Sequence, residues 1–301
     1  MDLKGTAWHR MAGYASEIRH TADDLLQGKD NVHKSVFDET HTAYQPMKEH
    51  GVDGLFDWLY SVGICGHASK PGLCVNGSYL DCNPTEACAK YCYACFGHYI
   101  MRKVAIKGEL IALAAHLDPY RVAHMISCEY NVAPTHRHGE ALRMFDKGDI
   151  NDDWVKIIAL LNEKGIRTQV FSKHPELIQM LDRDMNVIMW SVDESTRNLH
   201  MYPTLPLAFV YKNKDYPMLD KLKDRFLEYG GVVLPIKGSK EIPVVPAWAE
   251  KYMCPIDSGK KTIQKGVIKR AGEWRCPDCD LHGSAGCFYG RSLCNIKRTS
   301  A

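Results

Sequence analysis

Ile166-Arg-Thr-Gln-Val-Phe-Ser-Lys173, Pro175-Glu-Leu-Ile-Gln-Met-Leu181 and Asn186-Val-Ile-Met-Trp-Ser-Val-Asp193 follow one another and decide the fold. Ile166 to Phe171 and Asn186 to Trp190 are short apolar runs of strand length. Between them, Pro175 opens a segment that reads as a helix. The same pattern extends to either side. Ala141 to Phe145 is a strand. Asp152 and Asp153 then open a helix with Trp154, Ile157, Ile158 and Leu161 on one face, closed by Gly165. Leu207 to Tyr211 is a strand, Met218 to Tyr229 a helix closed by Gly230-Gly231, and Val232 to Leu234 a last strand. With Leu73 to Leu80 as a first strand, six are expected. Strand and helix alternating through short loops means parallel β/α units. The predicted fold class is α/β, a partial (β/α)6 barrel. A doubly wound open sheet is the alternative, because periodicity does not separate the two. In both, the working loops follow the C-terminal ends of the strands.

The remainder of the chain sets bounds. It has 301 residues, 45% hydrophobic and 25% charged, with a formal net charge of +2. That composition is ordinary for a chain with a large core, and no whole-molecule field singles out nucleic acid or a membrane. Residues 1–70 are expected to be a helical segment without chemistry: Ala7 to Ile18 and Gly54 to Val62 carry helical apolar spacing. His9, His20, His33, His41 and His50 are read as surface residues. Tyr99 to Leu117 reads as a long helix. Asp118-Pro119 caps a second helix reaching about Tyr130, with Cys128 expected to be buried on it. Met1-Asp-Leu-Lys4 has no apolar signal core, and no run approaches the ~18 apolar residues of a membrane span. The expectation is a cytoplasmic, monomeric protein without membrane contact.

Twelve cysteines are unevenly placed: seven lie from Cys65 to Cys128 and five from Cys254 to Cys294. A small disulfide-stapled protein would spread its bridges through its loops, so metal ligation fits better. The densest run is Cys82-Asn-Pro-Thr-Glu-Ala-Cys88-Ala-Lys-Tyr-Cys92-Tyr-Ala-Cys95, just after the proposed first strand. Cys88, Cys92 and Cys95 give C-x3-C-x2-C, whereas Cys82, Cys88 and Cys92 give C-x5-C-x3-C. Three thiolates on one loop hold a [4Fe–4S] cluster with one iron open, while a structural cluster usually takes four. A structural zinc knot is the competing reading, since C-x2-C pairs often bind zinc.

Other strand ends supply polar groups to the same rim. Gly148-Asp149 follows one strand, Ser172-Lys173 the next, and Ser191-Val-Asp193 the one after. Asp149 is a candidate acceptor for an ammonium group, Ser191 or Asp193 for a ribose hydroxyl, and Lys173 for pairing with a carboxylate. Taken singly, each is equally ordinary as a turn or helix cap.

C-x3-C-x2-C resembles the signature of the radical-SAM superfamily. More specifically, Cys82-x5-Cys88-x3-Cys92-Tyr-Ala with Gly97 resembles the cluster loop of a phage-encoded radical-SAM-like family, the gene-product-88 type. Arg143-Met-Phe-Asp-Lys-Gly148-Asp149, Val170-Phe-Ser-Lys173, Asn186 to Ser191, Cys254-Pro255, Cys276-x2-Cys279 and Cys287 are similar in the same order. The likeness runs over roughly residues 70 to 290 and leaves the first 60 uncovered. It implies a partial barrel over 71–240 holding S-adenosylmethionine (SAM) on a [4Fe–4S] cluster. The family pattern takes Cys92 as third ligand; superfamily spacing takes Cys88, Cys92 and Cys95, with Cys82 in reserve. Tyr91 or Tyr93 would pack on the adenine.

Residues 241–301 form a second metal segment, with Cys254, Cys276, Cys279 and Cys287 as ligands and Cys294 spare. Bare spacing favours zinc; the resemblance favours an auxiliary [4Fe–4S] cluster. The implied activity is one-electron cleavage of SAM and hydrogen abstraction, supplied by an external reductant. By analogy, one candidate substrate is a hypermodified thymine in phage DNA within a host cytoplasm, with an isomerase or base-modifying outcome; a peptide or small metabolite is equally admissible. The rival is a non-enzymatic zinc or iron–sulfur module binding protein or nucleic acid.

Overall fold

The computed structural model describes residues 3–29, 37–68, 72–133, 141–211, 216–235, 245–253, 262–264 and 267–269. Helix α1 (Ala7–Leu26) is capped by Thr6, whose hydroxyl accepts from the His9 N–H. It buries Ala15, Ile18, Ala22 and Leu25, a spacing that returns to one face every three to four residues. Helix α2 (Tyr44–Val62) bends at Gly51, whose φ of 56° is non-helical.

Strands β1 (Cys65–Ala68) and β2 (Gly72–Val75) form an antiparallel pair. Next come α3 (Glu86–Tyr91), α4 (Arg102–Leu117) and α5 (Pro119–Val132). The chain then alternates: β3 (Leu142–Met144), α6 (Asp152–Glu163), β4 (Thr168–Ser172), α7 (Pro175–Ile178), β5 (Asn186–Val192) and β6 (Leu207–Tyr211). Two short helices, α8 (Tyr216–Lys221) and α9 (Lys223–Tyr229), lead to β7 (Gly231–Pro235). A separate hairpin, β8 (Thr262–Gln264) with β9 (Val267–Lys269), lies beyond.

The main sheet has seven strands in the order β1-β2-β3-β4-β5-β6-β7 and does not close. Every pairing from β2 to β7 is parallel. The sheet is open, as the doubly wound alternative expected, but its order lacks the reversal at a switch point that such sheets carry. Right-handed crossovers between neighbours in sequential order keep placing their helices on one face. The burial agrees. Leu142, Met144, Val170, Ile188, Trp190, Leu207 and Phe209 join one large core with the helices. The alternate residues Met189, Ala208 and Val232 form a separate cluster with Phe171 and Leu234 on the other face. Among the described residues no helix is long and apolar enough to cross a membrane.

Several expectations need correction. The first parallel strand ends at Val75, not Leu80, because Asn76 and Gly77 turn away to meet Asp146. β1 adds an antiparallel edge at the end of the segment read as helical. The helix expected from Tyr99 starts at Arg102, after a 3₁₀ turn at Gly97–Ile100. Cys128 is exposed rather than buried, with its sulfur 3.6 Å from His124 Nε2 one turn back. His41 is not a surface residue: it packs edge-on against Phe37 and near Trp58.

Candidate metal and cofactor site

The chain after β2 is clamped before it reaches the cysteines. Asp146, just past β3, accepts from Asn76 Nδ2 and the Gly77 N–H, both at 2.8 Å. Glu109, fully buried on α4, accepts from Ser78 Oγ at 2.5 Å and the Tyr79 N–H at 2.7 Å. Burial raises its carboxyl above the usual range, against those hydrogen bonds. The Tyr79 hydroxyl then donates to the carbonyl of Ala94, inside the cysteine run. Backbones touch here. A Cβ on Gly77 would lie 1.7 Å from the Lys147 carbonyl oxygen, and one on Gly148 2.5 Å from that of Ser78. Gly148 also holds φ at 86°, and nearby Phe145 sits at φ 63°, a region few non-glycine residues occupy.

Asp149 makes the second clamp. Its Oδ1 accepts from Ser172 Oγ at 3.0 Å and from the Lys173 N–H at 2.6 Å, and its Oδ2 accepts from the Asn83 N–H at 2.9 Å. One carboxylate thus ties the ends of β3 and β4 to the residue after Cys82. A third clamp comes from the end of β5. Asp193 accepts from Thr85 Oγ1 and from Lys173 Nζ, the latter at 2.9 Å with both side chains buried. Ser195 Oγ accepts from the Ala87 N–H at 3.0 Å. Thr85 also caps α3 by accepting from the Cys88 N–H at 3.2 Å.

These clamps gather the cysteines. Cys82 lies before α3, Cys88 in its first turn, Cys92 just past its end, and Cys95 on the following 3₁₀ turn. All four are free thiols, and Cys92 and Cys95 are buried. They act on one another electrostatically. Burial pushes the Cys82 thiol well up, with Asp149, Cys92 and Cys88 adding to it. Burial pushes Cys88 up to about 12, opposed by the Lys173 ammonium. Cys92 donates to Cys95, which raises the first thiol and lowers the second. Burial alone would lower the Lys173 amine, but Cys88, Asp193 and Asp149 together raise it. Among the described residues no three His, Cys, Asp or Glu side chains close to single-metal-ion distances.

One buried group beside the cysteines suits a sulfur-rich group. The Trp8 indole N–H on α1 is buried and has no hydrogen-bond partner among the described residues. Its neighbour is the Cys82 sulfur, whose thiolate it favours. A sulfur-rich group is a natural acceptor for such an orphan. α1 packs against α3 and the turn Tyr93–Cys95, and Arg10 favours the Cys95 thiolate.

The other expected residues are distributed as follows. Gly148, Asp149, Lys173 and Asp193 converge on the cysteine run. Ser191 lies on β5 opposite Ala208, on the face that carries the smaller cluster. The Tyr93 hydroxyl donates to the Asp146 carbonyl, and its ring meets Tyr99 edge-on at 5.6 Å. Tyr91 closes α3, and its side chain is not among the described ones. Cys254, Cys276, Cys279, Cys287 and Cys294 lie outside the described residues. Trp8, Arg10, Tyr79, Thr85, Glu109 and Ser195 went unread in the sequence. Only Glu109 left a local signal, a carboxylate within the apolar run Ile106 to Ala115. Comparison of the chain with family models, with curated proteins and with solved structures gave no match.

Proposed function

We propose that this protein is a radical-SAM enzyme built on a partial (β/α)6 barrel. One observation carries the reading. The cysteine run leaves the first parallel strand and is held, by Asp149 and Asp193, against the C-terminal ends of the next parallel strands. That edge is where parallel α/β sheets place their chemistry. Cys88, Cys92 and Cys95 would hold a [4Fe–4S] cluster, with Cys82 in reserve. When bound and reduced by an external one-electron donor, such a cluster would supply the electron for cleavage of SAM to methionine and a 5′-deoxyadenosyl radical, which would take a hydrogen atom from the substrate. The chain's own residues would orient and enclose. Three of the roughly four acceptor positions of Asp149 are engaged internally, so its first role is to hold the loop, with one left for an ammonium group. Lys173 and Asp193 form an internal pair beside Cys88, which favours a role in the loop's electrostatics over direct capture of a ribose or a carboxylate. In a partial barrel the sheet face that carries Met189, Ser191, Ala208 and Val232 would be the inward one, where substrate is expected. A modified DNA base as substrate rests on resemblance alone. Residues 241–301 would carry the auxiliary [4Fe–4S] cluster, or zinc.

The test is anaerobic purification with iron, sulfide and zinc quantitation, followed by dithionite and SAM. About four or eight irons per chain with 5′-deoxyadenosine released supports the enzyme. Zinc alone without SAM cleavage removes it.

A second reading follows from the four loop sulfurs acting on one another. If all four bind, the cluster has no open iron and the loop is a binding module. Cys82→Ser and Cys95→Ser together separate the two. A three-ligand enzyme keeps its iron and its SAM cleavage in one of these variants, whereas a closed four-cysteine site loses iron in both.

A further inference from the structure

The helical N-terminal segment, outside both the β/α units and the region of resemblance, reaches the cysteine run. The first turn of α1 carries Trp8 and Arg10, and α1 packs against α3 and the 3₁₀ turn that holds Cys95. The Trp8 ring is packed against the main core, and its N–H is cut off from solvent. A buried donor left unpaired costs about 1–3 kcal/mol, so proteins seldom keep one without a use. Here the neighbouring acceptor is a sulfur, and a neutral thiol is a weak acceptor. A thiolate carrying metal charge is a far better one.

We infer that the Trp8 indole N–H donates to the Cys82 sulfur in the iron–sulfur-loaded protein, which makes α1 one wall of the metal centre. The inference rests on the proposed cluster. Trp8 is a positioning and tuning residue, not a catalytic one. Donation of an N–H to a cluster sulfur stabilises the reduced, more negative state and so raises the reduction potential. The same contact seals one side of the loop from solvent. It also bears on the ligand set, because a metal-charged Cys82 belongs to the Cys82, Cys88 and Cys92 alternative and not to a Cys82 held in reserve.

The experiment compares the full-length chain with Trp8→Phe, which keeps an aromatic ring and removes the N–H. Both are reconstituted anaerobically with iron and sulfide, their iron content is measured, and their midpoint potentials are read by EPR-monitored titration. Equal iron with a lower potential in the variant is the expected result. Equal iron with an unchanged potential overturns the inference while leaving the cluster intact. Trp8→Phe packs less well and its folding is not assured, so a second measurement uses the unaltered chain. The ¹⁵N-labelled Trp8 indole signal, assigned in the metal-free chain, is followed as the cluster is loaded. Strong shifting or broadening beyond that of tryptophans far from the loop supports the contact, and an unmoved signal overturns it. If the unaltered chain takes up no iron or sulfide, the proposed function falls first and the inference falls with it.

Discussion

Replacing Asp149 tests whether the cysteine run is held by protein–protein bonds before any cofactor arrives. Its carboxylate takes three donors, from Asn83, Ser172 and Lys173. In Asp149→Ala the Asn83 N–H, on an exposed residue, recovers water. The buried Ser172 hydroxyl and the Lys173 N–H have no such recourse. Two stranded donors at about 1–3 kcal/mol each give a loss of roughly 2–6 kcal/mol. That is a large part of the ~5–15 kcal/mol by which domains are folded. Asp149→Asn keeps an oxygen for Ser172 and Lys173 and turns an amide toward Asn83, so it loses about 1 kcal/mol. The assay is urea unfolding of the metal-free chain under reducing anaerobic conditions, followed by circular dichroism with a common slope. The reasoning predicts a clear order: unaltered chain, then Asn, then Ala. If Asp149→Ala unfolds within ~0.5 kcal/mol of the unaltered chain, the clamp is refuted and the residue is left to ligand contact alone.

Further outcomes follow from neighbouring features. Gly77→Ala places a Cβ 1.7 Å from the Lys147 carbonyl oxygen, so thermal unfolding should show a loss of at least ~1–3 kcal/mol, and an unchanged melting temperature contradicts the close approach. Lys147 has a buried ammonium with no hydrogen-bond partner among the described residues, and Asp146 Oδ1 lies 3.7 Å away. The ammonium also lies over the Tyr79 ring, 5.3 Å from its centroid. Lys147→Met strands the Asp146 charge and should cost up to ~3–5 kcal/mol in urea, and an unchanged stability would show that the pair contributes nothing. Burial chiefly, with Arg102, lowers the half-buried His41 imidazole to about 4, and its Nδ1 accepts from the Ala43 N–H. The unfolded chain then binds that proton more tightly. Stability from His41 is full above the ordinary value near 6.5 and is lost as pH falls toward 4. His41→Phe should flatten the stability profile across that window, and an identical slope in the variant would rule His41 out as its source.

The parallel sheet was legible because its strands announce themselves locally. Leu207 to Tyr211 is apolar throughout, bounded by turns, and matches β6 residue for residue. Asn186 to Trp190 fell two residues short of β5, since Ser191 and Val192 read as loop until Ala208 and Phe209 pair with them. The helix expected over Met218 to Tyr229 divides at Leu222, where no glycine or proline marks the break. Cys65-Gly-His-Ala68 carries no alternating pattern and becomes a strand only because β2 lies beside it. The cysteine run stood out as one loop, and Asp149, Lys173 and Asp193 as strand-end residues. Their engagement with one another did not, because each bond spans tens of residues of sequence. Trp8 was read as helix and nothing more: its neighbour, Cys82, is set by how α1 packs.

Those long spans have a consequence for the newborn chain. Thr85 meets Asp193, and Ala87 meets Ser195, across 108 residues of sequence. At about 5–20 residues per second of synthesis, the third clamp arrives roughly 5–20 s after the cysteines have been made. Throughout that interval four thiols stand on an incompletely fastened loop, open to oxidants and to whichever metal is at hand. Iron–sulfur delivery before the clamps close would forestall both hazards, and producing the protein in air should yield miswired thiols even where the folded site would resist them.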